Sequence, residues 1–328
     1  MEATLNKNNF RTTLSRFQSL IALFILCLVI TLLSDKFLTV TNAWNVMRQI
    51  SVNICISVGM TLIVLTSGID LSVGSVLALC GAITAGLLKN GIEMPAFNLF
   101  IGFTVFGAIV AGLLVGALLG LFNGLVITKF KVPPFVATLA MLTIARGLTM
   151  LWTKGFPITG LGPKFSYIGT GWLLGIPVPV WLSGIVVLVA VVITRKTRLG
   201  RYIYAIGGNE SAAKLSGINT SRIKIAVYTI AAGLAAVGGI LVTSRLDSAQ
   251  PNAGTGYELD AIAAVVIGGT SLSGGRGSIW GTVLGAIIIG VLNNGLVLLN
   301  VSPFWQQVVK GGVILIAVII DKANSKND

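Results

Sequence analysis

The sequence predicts an all-α polytopic membrane protein, with about ten transmembrane helices in two inverted five-helix repeats. Three observations carry this. Of 328 residues, 55% are hydrophobic and 10% charged, and the mean hydropathy is +0.93. Apolar stretches recur along the whole chain, and residues 116–135 are echoed by residues 285–304.

Composition comes first. Soluble domains carry about 25% charged residues, so this chain could not cover a water-facing surface. At roughly 20 apolar residues per crossing, its length leaves room for about ten spans. They are expected near 17–33, 50–68, 71–88, 99–127, 133–152, 177–194, 225–243, 259–271, 279–299 and 303–320. The run at 99–127 is long for one straight span, and 259–271 is too short to cross alone. Broken or short helices are therefore expected near 68–72 and 256–272. The apolar run after Lys7, Arg11 and Arg16 has no small-residue cleavage pattern behind it, which makes it an uncleaved first span.

Charge sets the orientation. The net charge of +13 would suggest nucleic acid in a soluble protein; here it reads as the Lys and Arg excess of cytoplasmic loops, and no nucleic-acid partner is expected. Ten spans with the N-terminus inside place fifteen Lys and Arg in the cytoplasm, seven of them between Arg195 and Lys224. Six fall outside (Lys36, Arg48, Lys89, Lys154, Lys164 and Arg245), and Arg146 and Lys310 stay within or near spans. That is a positive-inside bias. Trp44, Trp152, Trp172, Trp181 and Trp305 lie near span ends, where indole rings favour the lipid interface.

The repeat is a matter of matched text. GALLGLFNGLVITKFKVPPF (116–135) and GAIIIGVLNNGLVLLNVSPF (285–304) share Gly-Ala, then Asn-Gly-Leu-Val, then Val-x-Pro-Phe. The first copy ends the fourth span and the second the ninth, so the two face opposite ways. Inverted repeats of this kind mark transporters, with the path between the halves. The chain is one transmembrane domain, 1–328, with halves of about 1–165 and 166–328.

Several chemistries are excluded or disfavoured. There is no histidine, so no imidazole acid–base and no His-ligated metal. Cys27, Cys55 and Cys80 sit in apolar runs and form no disulfide framework. From Gly269 the phosphate-loop spacing reaches Gly274, but Gly275 stands where lysine is required. No catalytic residue, metal ligand or cofactor is assigned to the chain.

The remaining polar residues form two groups. GIDLSVGS (68–75) sets Asp70 between two apolar runs with almost no linker. A carboxylate at a helix start is favoured by free N–H groups and the helix dipole, so Asp70 reads first as a cap. As an intramembrane acid it also reads as a pathway residue. Glu258 and Asp260 repeat the theme before the short apolar run. Residues two apart on a helix do not face each other, so capping or a gate contact fits them better than paired-carboxylate hydrolysis. Arg146 either snorkels to the interface or pairs with an acid such as Asp70. Asn53, Asn123, Asn293 and Asn294 could line a sugar-sized passage or join helices. The second group is the basic stretch 195–224, the longest polar connection. Its Glu210–Ala213 segment reads as a short helix ended by Gly217, a docking element with Tyr202 and Ile218 as apolar anchors.

GIDLSVGS, KVPPFVATLAMLTIARGL, TRLGRYIYAIGGNESAAKLSGI and SAQPNAGTGYELDAIAAVVIGGTSLSGGRG together resemble the membrane permease of bacterial ATP-binding-cassette sugar importers, of the ribose-permease type. The resemblance covers nearly the whole chain. It implies a homodimer of permeases in the bacterial cytoplasmic membrane, with both termini cytoplasmic, among membrane lipid. It also implies cytoplasmic ATPases that hold ATP and magnesium, and an external sugar-binding protein. Residues 207–218 would be the counterpart of the EAA coupling loop, with Arg201, Gly207, Asn209, Glu210, Ala213 and Gly217 as its coupling residues. The chain departs from the fuller pattern, since Ser211 follows Glu210 directly. Asn53, Asp70, Asn123, Arg146, Glu258, Asp260 and Asn294 are the candidate pathway or gate residues. A rival reading is an ion-coupled secondary transporter of a small polar solute.

Overall fold

The computed structural model describes residues 19–94 and 99–325, and its elements are almost all helices. Helix α1 (Ser19–Leu33) is followed by α2 (Val40–Leu65), α3 (Val73–Asn90), α4 (Val105–Lys129) and α5 (Pro134–Thr153). Short α6 (Pro163–Thr170) leads to α7 (Val178–Lys196), α8 (Arg198–Gly208), α9 (Glu210–Leu215) and α10 (Thr220–Leu246). Then come α11 (Tyr257–Ile267), α12 (Ile279–Leu298) and α13 (Pro303–Ser325). Among the described residues, seven helices are long and apolar enough to cross a membrane: α2, α3, α4, α5, α7, α10 and α12. The apolar parts of α1 and α13 are shorter, and α11 has 11 residues.

Both expected breaks are present. The chain is non-helical over 66–72 between α2 and α3, and α11 stops at Ile267 before the glycine-rich 268–278. Two expected spans change at their ends. The long run at 99–127 splits into a strand, β2 (Leu99–Ile101), paired with β1 (Ile92–Met94), and then α4, which starts where the Thr104 hydroxyl accepts from the Gly107 N–H. The span expected from residue 50 begins ten residues earlier. Thr39 caps α2 by accepting from the Asn42 N–H, so the polar TNAWN segment is the first turn of a helix. The first span loses its beginning, since residues 17 and 18, with the basic residues before them, lie outside the described residues.

α10 is the central post; α2, α3 and α4 all pack on it. In lipid, helices associate through close van der Waals packing rather than water exclusion, which favours small residues at contacts. Gly112, Gly116, Gly120 and Gly124 recur every fourth residue of α4, one stripe along its axis. Gly112 meets Thr84 of α3, and the other three meet Ala236, Tyr228 and Ile225 of α10. The opposite side of α4 faces outward, with Phe106, Leu114, Leu118 and Phe122 exposed. On the other side, α12 packs on α2 and α11, with Gly285 against Ala264 and Gly290 against Ile50. At the rim formed by the start of α2, Arg48 lies 5.0 Å over the Trp172 ring, and Trp44 meets the same ring edge-on at 5.1 Å.

Candidate functional site

The first break meets a re-entrant turn, residues 250–256 ahead of α11, inside the bundle. α3 and α10 run side by side, with Gly68 at the level of Tyr228 and Gly81 at that of Gly239 and Thr243. Gly74, between them in sequence, therefore lies near the middle of the 27-residue α10. There it meets Gly254. A β-carbon on either glycine would collide with the other's backbone. Yet Gly254 follows Ser248–Ala249, which pair as β6 with β3 (Ile158–Thr159) beyond the end of α10. The chain has turned back from that end to mid-helix depth before α11 begins.

The first break is built around Asp70, which is 1% exposed. One carboxylate oxygen accepts from the Ser72 N–H at 2.7 Å and the Ser72 hydroxyl at 2.6 Å. Ser72, not Asp70, is the residue at the helix boundary, so Asp70 closes the turn ahead of α3 rather than capping its free N–H groups. Asn123 of α4 donates to the Ser72 hydroxyl at 3.3 Å, joining the turn to a neighbouring helix. The backbone that turns left-handed is Ser67, with φ +59°. Gly68 is required instead by packing, because a β-carbon there would press on the Tyr228 hydroxyl.

The re-entrant turn at 250–256, ahead of α11, is held by Arg146. Its guanidinium donates to the carbonyls of Pro251 at 2.8 Å and Ala253 at 2.9 Å. Its acidic neighbour is Glu258, whose carboxylate lies against Gly74. The expected partner Asp70 is engaged by Ser72. Asp260 points elsewhere: it accepts from Asn293 at 3.3 Å and from Lys310 of α13 at 3.1 Å. Glu258 and Asp260 thus serve separate neighbours, as their spacing requires. Asn294 forms a reciprocal amide pair with Asn42, at 2.9 and 3.0 Å, a helix–helix link. Asn53 is buried within α2. Lys310 was placed within or near a span but given no role from sequence, and Asn42 was not singled out. The signal was an isolated cation in an apolar helix, which needs a buried acid.

The 195–224 stretch is two short helices. Asn209 caps α9 by accepting from the Ala212 N–H at 2.9 Å, Glu210 pairs with Lys224 at 2.6 Å, and Gly217 ends the turn at φ +83°. The candidate coupling residues divide. Arg201, Asn209, Glu210 and Gly217 are exposed, whereas Ala213 is buried. Gly207 is wedged inward, where a β-carbon would strike the Leu65 carbonyl and the Gly275 N–H. Leu215 is 90% exposed, the apolar tip of this knuckle. Beneath it, the Ser67 hydroxyl donates to Ser273 at 2.9 Å, the Gly275 N–H donates to Leu65 at 3.1 Å, and Tyr204 donates to Gly277 at 2.9 Å. The knuckle therefore rests directly on the ends of both breaks.

No group of three or more His, Cys, Asp or Glu that could hold a metal occurs among the described residues. No solved structure matches the chain. Its sequence is 52% identical over 308 residues to the ribose import permease protein RbsC of Escherichia coli K12, covering 93% of this chain and 92% of that one. The Bacillus subtilis protein of the same name is 50% identical over 319 residues, 97% of this chain and 96% of its own. The D-allose transport system permease protein AlsC of Escherichia coli K12 is 39% identical over 307 residues, 92% of this chain and 91% of its own. A family described as the permease component of branched-chain amino acid transport systems matches residues 42–318, and the chain belongs to that permease family.

Proposed function

We propose that this chain is the channel-forming permease subunit of an ATP-driven ribose importer, taking sugar from an external binding protein. The observation that carries the reading is the identity of 50–52% to ribose import permeases over nearly the full chain. The family description speaks of branched-chain amino acids, but similarity falls off within sugar permeases, to 39% for an allose permease and 36% for a galactose one. That gradient favours ribose. Energy comes from cytoplasmic ATPase subunits that bind ATP and magnesium, and they dock on the α8–α9 knuckle. Its exposed Arg201, Glu210 and Leu215 and its contact with both breaks support this role.

In this reading α1, α11 and α13 complete ten membrane segments in the cytoplasmic membrane, with both termini inside. Two copies form the channel. The halves are inverted repeats. In support, α4 packs on α10 and α3 as α12 packs on α2 and α11. Each of α4 and α12 is also followed by a short link and a proline-started helix, at Pro134 and Pro303. ATP-driven closure of the ATPases would shift the knuckle, and with it the ends of both breaks.

Proteoliposomes holding the permease, its ATPase and the ribose-binding protein should take up ribose only with ATP, and ribose should stimulate hydrolysis. Accumulation by the permease alone under a proton or sodium gradient would replace this reading with an ion-coupled secondary transporter.

A further inference from the structure

We propose that the re-entrant segment Gln250–Gly256, together with Arg146 and Glu258, forms the water-lined wall along which a neutral polyhydroxylated solute crosses the middle of the membrane. The inference rests on the permease reading and specifies the wall that reading leaves open.

Gly254 abuts Gly74 at the mid-level of α10. The segment around it is irregular, with turns but no helix until Tyr257. Irregular backbone at that depth cannot face hydrocarbon, where each unsatisfied N–H or C=O costs several kcal/mol; it must be buried in protein or line a water-filled cavity. One side of the segment is buried, at Pro251 and Gly254. The other side exposes Asn252 and Thr255 and leaves Arg146 and Glu258 half-exposed. A face carrying an amide, a hydroxyl, a guanidinium and a carboxylate cannot be the lipid face.

Its chemistry suits a sugar. The Asn252 amide both donates and accepts, while the Thr255 hydroxyl, which donates to the Asn252 backbone carbonyl at 2.9 Å, keeps its lone pairs to accept from a monosaccharide's hydroxyls. The charges are tied down, because Arg146 spends two N–H bonds on the Pro251 and Ala253 carbonyls and lies beside Glu258. The wall is thus polar with its opposite charges balanced. It would offer passing hydroxyls exchangeable contacts without a deep binding well.

The test uses the assembled importer with single added cysteines, Asn252→Cys and Thr255→Cys, and a charged, membrane-impermeant methanethiosulfonate. The native cysteines are a low background, since Cys55 and Cys80 are buried; Cys27 is replaced by serine. Leu188→Cys, on the exposed apolar face of α7, is the lipid-facing control. Thiols react as thiolates, which form in water and not in hydrocarbon, so both wall positions should react at least about tenfold faster than the control. Bound reagent should block uptake, and transported sugar should slow labelling. Labelling no faster than at Leu188→Cys would overturn the proposal, whether the segment then meets lipid or is sealed against a second copy. Labelling needs no particular sugar. A complex that labels at the wall but ignores ribose keeps the conduit and refutes only the ribose assignment.

Discussion

Asp70 raises a question of charge within an apolar bundle, and its bonds answer it. A single carboxylate oxygen takes both the N–H and the hydroxyl of Ser72, and Asn123 supports the same hydroxyl from α4. The role is geometric and needs an acceptor oxygen, not a proton. Asp70→Asn keeps an oxygen in place and should leave most ribose uptake intact. Asp70→Leu strands two buried donors, at about 1–3 kcal/mol each, and should lower the melting temperature in detergent and the yield of folded protein. Loss of uptake in a well-folded Asp70→Asn protein would show instead that the charge is used. The acid and its flanking glycines were legible in the sequence as a broken helix. The partner of Arg146 was not, because carbonyls more than 100 residues away reach it only after the chain turns back into the bundle.

At the scale of elements, apolar length located the seven long apolar helices but misjudged where some begin. Caps decided those starts: Thr39 recruits a polar turn into α2, and Thr104 separates α4 from the strand before it. The glycine stripe of α4 was not singled out from sequence, although a four-residue recurrence of small residues marks a packing face in lipid. The α9 helix and its Gly217 stop were legible in the α8–α9 knuckle, but which of its residues face outward was not, since Gly207 and Ala213 turn inward. Glu210 faces out and pairs with Lys224 at 2.6 Å. Its side chain is about half exposed, and such pairs add only about 0.2–1 kcal/mol. Glu210→Arg should therefore fold and insert normally. It should still separate ATP hydrolysis from uptake, cutting ribose accumulation several-fold in the assembled complex. Normal transport by that variant would remove Glu210 from the coupling surface.

The whole molecule joins these parts at one end of the bundle. Residues 65–68 open the first break, residues 273–277 close the second, and Tyr204 with Gly207 sits across both. Each half of the chain thus contributes one strand of a clasp, and the knuckle holds the pair together. Any motion of the knuckle relative to the bundle must strain these contacts. The backbones approach too closely to slide past one another, given that a single added β-carbon at Gly207 would strike both sides. If ATP drives transport through the knuckle, the clasp has to open and re-form in each cycle. A crosslink between Ser67→Cys and Ser273→Cys, positions brought close by the 2.9 Å bond from the Ser67 hydroxyl to the Ser273 backbone carbonyl, should arrest uptake in the assembled importer. Reductant should restore it. Each single cysteine should transport normally, which separates the effect of locking from that of substitution. Undiminished uptake by the fully crosslinked protein would mean that the clasp is a static joint, and that the knuckle moves the bundle by another route.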